Sequence, residues 1–232
     1  MFEVLHPYDN TLITHPDYIK LALDNGFQRT NDYVGGRCPV CKREMKVRAG
    51  HKKDDGHFYH NDSEFCPTKD PASRPYLGKV AAQIDPHAVN LNRKFVRSNI
   101  ECIWSRLSEI VPYLDLLEFI AILKEARRLN VYGYVGGVPE LIPYVFVTLI
   151  NFLPSKSREQ KRKLKFCFFY DSSVKKYEDL WIDKGINSDL VRISYKNSET
   201  IRVKIFDMEY QYLSRQKFRL SEKQKNWVLD EV

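Results

Sequence analysis

The sequence predicts an α+β fold, and three observations carry that prediction. The first third is polar and holds closely spaced cysteines and histidines. The middle third places apolar residues at helical spacing, and the last third alternates them with period two. A chain of 232 residues accommodates a small module followed by a larger domain. The expected arrangement is an N-terminal ribbon or knuckle over residues 1–75, then a domain over 76–232 with a helical middle and a C-terminal mixed or antiparallel sheet.

Each element has its own local reason. Pro16 and Asp17 open a short helix, and Asn25-Gly26 ends it. Gly35-Gly36 leads into a cysteine pair, Glu44 to Arg48 alternates like a strand, and His51 to Gly56 reads as a polar turn before a second strand. The three prolines between Pro67 and Pro75 mark a linker. Helices follow over roughly 86–111 and 112–130, the latter with Leu114, Leu117, Ile120 and Leu123 on its apolar side and Arg127 and Arg128 in its last turn. Pro139-Glu140 opens a third, very apolar helix reaching about Leu153. Leu164 to Tyr170 reads as a buried strand. Val191 to Tyr195 and Ile201 to Phe206 form a hairpin about Asn197-Ser198-Glu199, and Ser221 caps a final helix.

Composition narrows the function classes. Hydrophobic residues make up 43% of the chain, enough for a sizeable core, and the mean hydropathy of -0.46 is that of a soluble protein. The apolar run Leu141 to Leu153 is too short to span a bilayer and contains Pro143 and Asn151. No basic region followed by an apolar core precedes it at the N-terminus, so the expected location is the cytoplasm and no membrane partner is expected. Five cysteines, an odd number, argue against a disulfide framework; Cys102 and Cys167 read as buried free thiols. Residues 1–75 balance 11 cations against 11 carboxylates. Residues 76–232 hold 26 against 19, so the whole excess of +7 lies beyond the cysteine module.

The strongest chemical signal is Cys38-Pro-Val-Cys41, then His57-Phe-Tyr-His60, then Cys66. Two cysteines separated by two residues present both sulfurs to one ion from a tight turn, and a downstream imidazole and thiol complete four ligands. The expected cofactor is Zn2+, held by Cys38, Cys41, His60 and Cys66. His57 is the reserve ligand and His51 a weaker one. Four protein ligands close the coordination sphere, so the metal is structural and no catalytic residue is assigned. The segment has few large apolar residues, so it needs the metal to fold.

The run Cys38-Pro39-Val40-Cys41-Lys42, Met45 to Gly50 and His57-Phe58-Tyr59-His60 resembles the N-terminal zinc-finger region of competence protein CoiA-like proteins, over roughly residues 30–70. The resemblance implies a DNA-handling setting, such as DNA uptake, a mobile element or defence against phage. In that family the finger precedes a nuclease domain of the restriction-endonuclease-like type. Beyond Cys66 the acidic-and-lysine set of such a nuclease is not found, and Glu44-Met45-Lys46 reads as a solvated strand face. A second nuclease reading, of the HNH type, would use Asp55 or His57 and His60 or Asn61, without the usual second cysteine pair.

Two surfaces are candidates for binding nucleic acid. Lys156, Arg158, Lys161, Arg162, Lys163 and Lys165 crowd one segment, as phosphate-binding cations do. In the hairpin, Arg192 is expected opposite Lys204 and Ser194 opposite Arg202, giving a basic face behind an apolar one of Val191, Ile193, Tyr195, Ile201, Val203 and Ile205. Phe166, Phe168, Phe169 and Tyr170 read as core. The function expected is therefore a zinc-stabilised nucleic-acid-binding or assembly protein, with DNA ahead of RNA as partner. The alternatives are a metal-dependent nuclease and a partner-binding subunit that docks through Leu141 to Leu153.

Overall fold

The structure is a computed structural model that describes residues 1–48, 56–64, 66, 68–69, 81, 83–134, 136–154, 162–170, 189–196 and 199–232. The fold is α+β. Strands β1 (Glu3–Leu5) and β2 (Leu12–Thr14) form a hairpin that the sequence does not advertise. Helix α1 (His15–Asp24) follows, with Thr14 as N-cap and Asp17 completing a capping box. Strands β3 (Gly36–Arg37), β4 (Glu44–Arg48) and β5 (His57–Tyr59) complete an antiparallel sheet in the order β2-β1-β3-β4-β5. Gly35 and Gly36 are required where the strands crowd. A Cβ on Gly35 would stand 2.3 Å from the Met45 carbonyl oxygen, and one on Gly36 2.4 Å from Val4 Cγ2.

The helical middle is more broken than its periodicity predicts. The stretch over 86–111 is two helices, α2 (Pro86–Ser98) and α3 (Ile100–Ile110). They part at Asn99, whose side-chain amide donates to the Phe95 carbonyl and competes with the backbone ladder. Helix α4 (Leu116–Arg128) starts four residues later than expected, because Asp115 and Glu118 form a capping box and Tyr113 takes a left-handed φ of 53°. The expected helix to Leu153 shrinks to a 3-10 turn and the short α5 (Ile142–Phe146). Past it, the Thr148 hydroxyl bonds the Val145 carbonyl and Phe152 pairs with Phe166. Leu141 through Leu149 are all buried, so this segment is core and offers no docking face.

Strands β6 (Lys165–Tyr170), β7 (Asp189–Lys196) and β8 (Glu199–Asp207) form the C-terminal antiparallel sheet, and α6 (Glu222–Leu229) closes the chain with Ser221 as N-cap. Arg192 lies opposite Lys204 and Ser194 opposite Arg202, as expected, and the register shifts at Ser194/Tyr195.

This sheet is covered on both faces. Phe166, Phe168, Tyr170 and Leu190 belong to the helical core with Val96, Ile103, Leu107, Phe119 and Ile122. Phe169, Val191, Ile193, Tyr195 and Val203 belong instead to the cluster of the N-terminal module, with Val4, Tyr18, Met45, Val47 and Phe58. The Glu3 carboxylate also accepts the Val203 N–H at 2.6 Å, tying β1 to the edge strand β8. Residues 1–75 and the rest of the chain therefore share one hydrophobic cluster. Most of the linker expected between them lies outside the described residues.

The hairpin's basic face is corrected accordingly. Arg192 points to the helical side, donates to the Ile110 carbonyl at 2.6 Å and lies against the Phe166 and Phe206 rings. It caps the C-terminus of α3, where a cation is favoured. Arg162 is likewise interior at 7% exposure. It forks onto both Glu118 carboxylate oxygens and also donates to the Leu153 and Pro112 carbonyls. These bonds fasten the start of α4 to the entry of β6. Replacing Arg162 by alanine strands Glu118 and two carbonyls, so Arg162→Ala is expected to cost ~3 kcal/mol of stability in urea unfolding. A loss below about 1 kcal/mol, the size of a surface ion pair, would contradict this interior role.

Candidate metal centre

The first two ligands sit on a turn that follows β3. The Cys38 N–H donates to the Arg43 carbonyl at 2.8 Å and the Lys42 N–H to the Cys38 carbonyl at 2.9 Å. Lys42 closes the turn in the left-handed region, with φ 59°. Cys38, Pro39 and Val40 are buried beneath it and Cys41 is half-buried. The third ligand, His60, follows β5 directly, whose pairing with β4 sets Phe58 opposite Val47 and Tyr59 opposite Lys46. Cys66 reaches back across a loop held by charges. Arg43 pairs with Glu64 at 2.5 Å and with Asp62 at 3.5 Å, and Lys69 pairs with Asp62 at 2.9 Å.

The donor atoms of Cys38, Cys41, His60 and Cys66 all lie within 4.8 Å of one another. The Cys38 and Cys66 sulfurs are 3.9 Å apart, and Cys41 Sγ is 3.2 Å from His60 Nε2. An ion bound tetrahedrally at about 2.3 Å to sulfur separates two thiolates by roughly 3.8 Å. The four side chains are gathered closely enough to hold a metal ion, and three sulfurs with one imidazole suit a borderline-soft metal. The Thr68 hydroxyl, which the sequence does not single out, stands 3.2 Å from Cys66 Sγ and 3.8 Å from Cys38 Sγ. It can donate to whichever sulfur carries charge.

Protons are unevenly held here. Burial pushes the Cys38 thiol well up, so it stays protonated at neutral pH. Hydrogen bonds from the Cys38 and Cys66 thiols, then from His60 and the Arg43 N–H, hold Cys41 far below the ordinary thiol range. For His60, burial works against the imidazolium, but its bonds to Cys41 and Cys66 prevail and raise the pKa to about 9. Without metal the centre is a thiolate–imidazolium pair beside a buried thiol.

Other predicted residues fall elsewhere. His57 lies opposite Arg48 in the hairpin, outside the four-ligand group, and its charge acts on the half-buried His15. His51 and Asp55 lie outside the described residues, and Asn61 is exposed. Glu44 pairs with Lys46 at 2.8 Å and accepts the Gly35 N–H, so this pair braces its own strand. Cys102 bonds the Leu213 carbonyl, and Cys167 packs against the module's cluster. Of the proposed phosphate-binding cations, Lys163, Arg202 and Lys204 are exposed, whereas Lys156, Arg158 and Lys161 lie outside the described residues.

The centre and its setting define the class: an α+β protein whose N-terminal sheet carries a metal-ligand cluster of three thiols and one imidazole. Compared with protein-family models, curated proteins and solved structures, the chain finds no match.

Metal binding at pH 7 must displace the proton of Cys38 and that of His60, so affinity should rise with pH through about 9, where His60 loses its proton, and on into the higher range of Cys38, and fall as pH drops. A metal titration in weakly buffered solution with a pH indicator should register at least two protons released per ion, those of Cys38 and His60. Binding that releases none would contradict this ordering of the site.

Proposed function

We propose that the chain is a zinc-stabilised nucleic-acid-binding or assembly protein, in which the metal builds the structure and binding takes place on the basic part of the chain. The observation that carries the reading is the closed donor set of Cys38, Cys41, His60 and Cys66. With all four tetrahedral positions taken by protein, zinc keeps none open for a substrate or water. Cys38 and Cys66 are also members of the cluster that covers the C-terminal sheet, so the ion's contribution reaches beyond its own loop.

The nucleic-acid part rests on charge. The whole cationic excess lies beyond residue 75, and Lys163, Arg202 and Lys204 are exposed within it. Phosphate backbones favour such a surface through counterion release. The likeness of residues 30–70 to CoiA-like fingers supports a DNA-handling setting, with DNA ahead of RNA as ligand. Free thiols fit a reducing compartment such as the cytoplasm, and among the described residues no helix is long and apolar enough to cross a membrane.

Elemental analysis of the purified protein should return about one zinc per chain. Cys38→Ser should lose both the metal and the cooperative unfolding transition. The metal-loaded protein should bind oligonucleotides with an affinity that falls steeply with salt, and leave them intact in magnesium. Cleavage that disappears in His57→Ala with zinc retained would replace this reading with that of a nuclease.

A further inference from the structure

A second polar cluster lies in the helical middle, far in sequence from the metal ligands. Helix α2 places Arg93 and Arg97 one turn apart on the same face. Helix α4 ends with Arg127 in its last turn. Asn130, at a left-handed φ of 53°, then turns the chain into the 3-10 segment Val131–Gly133. Tyr132 is the centre of that segment and is only 1% exposed. Asn92 Nδ2 donates to its carbonyl at 2.7 Å, fixing the turn against α2, and the Phe146 ring meets it edge-on at 6.3 Å. The Arg93 guanidinium covers its other side, 5.5 Å from the ring centre.

The cluster lacks an anion. The Tyr132 hydroxyl is buried and has no hydrogen-bond partner among the described residues, and the same holds for Arg93 Nε. Arg93 and Arg97 form no ion pair among the described residues. Among the described residues Arg127 pairs with Glu231 alone, at 3.7 Å, and shares that carboxylate with Lys124. Burial raises the Tyr132 phenol, and the positive charges of Arg93, Arg127 and Arg97, in that order, oppose the shift. Three guanidinium groups gathered about an unsatisfied hydroxyl, served by one shared carboxylate, repel one another unless an anion joins them.

We propose that Arg93, Arg97, Arg127 and the Tyr132 hydroxyl form a binding site for a phosphate group. Phosphate suits this donor set better than a carboxylate. It presents three or four acceptor oxygens and takes guanidinium forks in pairs, while a hydroxyl donor completes its shell. The group can belong to a nucleic-acid backbone, in which case the site gives the proposed nucleic-acid binding its contact surface and rests on that reading. It can equally be free phosphate or a phosphomonoester, which needs no nucleic acid at all.

The test uses the full metal-loaded chain. Inorganic phosphate should raise the melting temperature of the wild type beyond what acetate does at equal ionic strength. Arg93→Gln/Arg97→Gln should abolish that difference, and Tyr132→Phe should reduce it while keeping the wild-type circular dichroism. Should the double variant fail to fold, the exposed Arg97→Gln alone reads the same loss. In parallel, fluorescence anisotropy follows single-stranded DNA and RNA oligonucleotides. A backbone ligand predicts about tenfold weaker binding in the double variant and a salt slope smaller by about 0.7, the single-strand value for one phosphate contact. If phosphate stabilises only the wild type but oligonucleotides bind both proteins equally or neither, the site stands with free phosphate as its ligand. Binding to neither also removes the nucleic-acid reading. Equal stabilisation by phosphate and acetate, with oligonucleotide binding unchanged in the double variant, overturns the proposal.

Discussion

A three-stranded sheet with an apolar cluster packed on each face is the constraint around which this chain is organised. Strand β7 runs through the middle of it, with Leu190 and Ser194 buried toward the helices and Val191, Ile193 and Tyr195 buried toward the N-terminal module. Each fully buried aliphatic or aromatic side chain contributes about 1.5–3 kcal/mol relative to exposure. Neither covering layer can be removed without exposing one full row of them. The two ends of the chain are therefore bound through the sheet, although the expected linker separates them in sequence.

The metal ligands belong to this same arrangement. Cys38 and Cys66 lie with Val191, Ile193 and Tyr195 in one apolar cluster, and burial there raises the Tyr195 phenol. The Tyr195 hydroxyl has no hydrogen-bond partner among the described residues, and the layer between ligands and sheet is packed from apolar side chains. A thiol that burial keeps protonated is a stable apolar group, whereas a thiolate there needs a cation. A metal ion held there would convert a cysteine that packs as a small hydrophobe into a charged ligand. The loop that delivers Cys66 is positioned beforehand by Arg43, Asp62 and Lys69, so the ion meets ligands already gathered.

The sequence revealed the ligands because their spacing is a local code: two residues between Cys38 and Cys41 define a turn wherever they occur. The hairpin register, Arg192 against Lys204, was legible for the same reason, since alternation and a short turn determine it locally. What alternation cannot report is which faces are covered. A strand with an arginine and a serine among apolar residues reads as half-exposed, yet both lie inward because α3 presents a free carbonyl at Ile110 and aromatic rings flank the cation. The break at Asn99 and the early end of α5 were hidden by side-chain bonds to nearby carbonyls, which helical periodicity does not encode. Strands β1 and β2 are three residues each, too short for any pattern to show.

The same lesson changes the meaning of the basic excess. Arg106, Arg162 and Arg192 all lie in the charge-rich part of the chain, and all three donate to backbone carbonyls inside it. Arg106 binds the Asp207 carbonyl and Tyr144 while pairing with Glu109 and Glu209, so it joins α3 to the end of β8. These cations answer the unmet acceptors of chain segments that leave regular structure, and an ammonium could not fork between them. Counting them as surface charge overstates what is available to a polyanion. What distinguishes Arg93 is the lack of any such acceptor for its Nε among the described residues: its guanidinium lies over the ring of a tyrosine whose buried hydroxyl is itself unsatisfied there, and the exposed Arg97 stands one turn further along α2. In a chain where Arg106, Arg162 and Arg192 find carbonyls or carboxylates, a half-buried arginine that finds neither marks where the proposed anion fits.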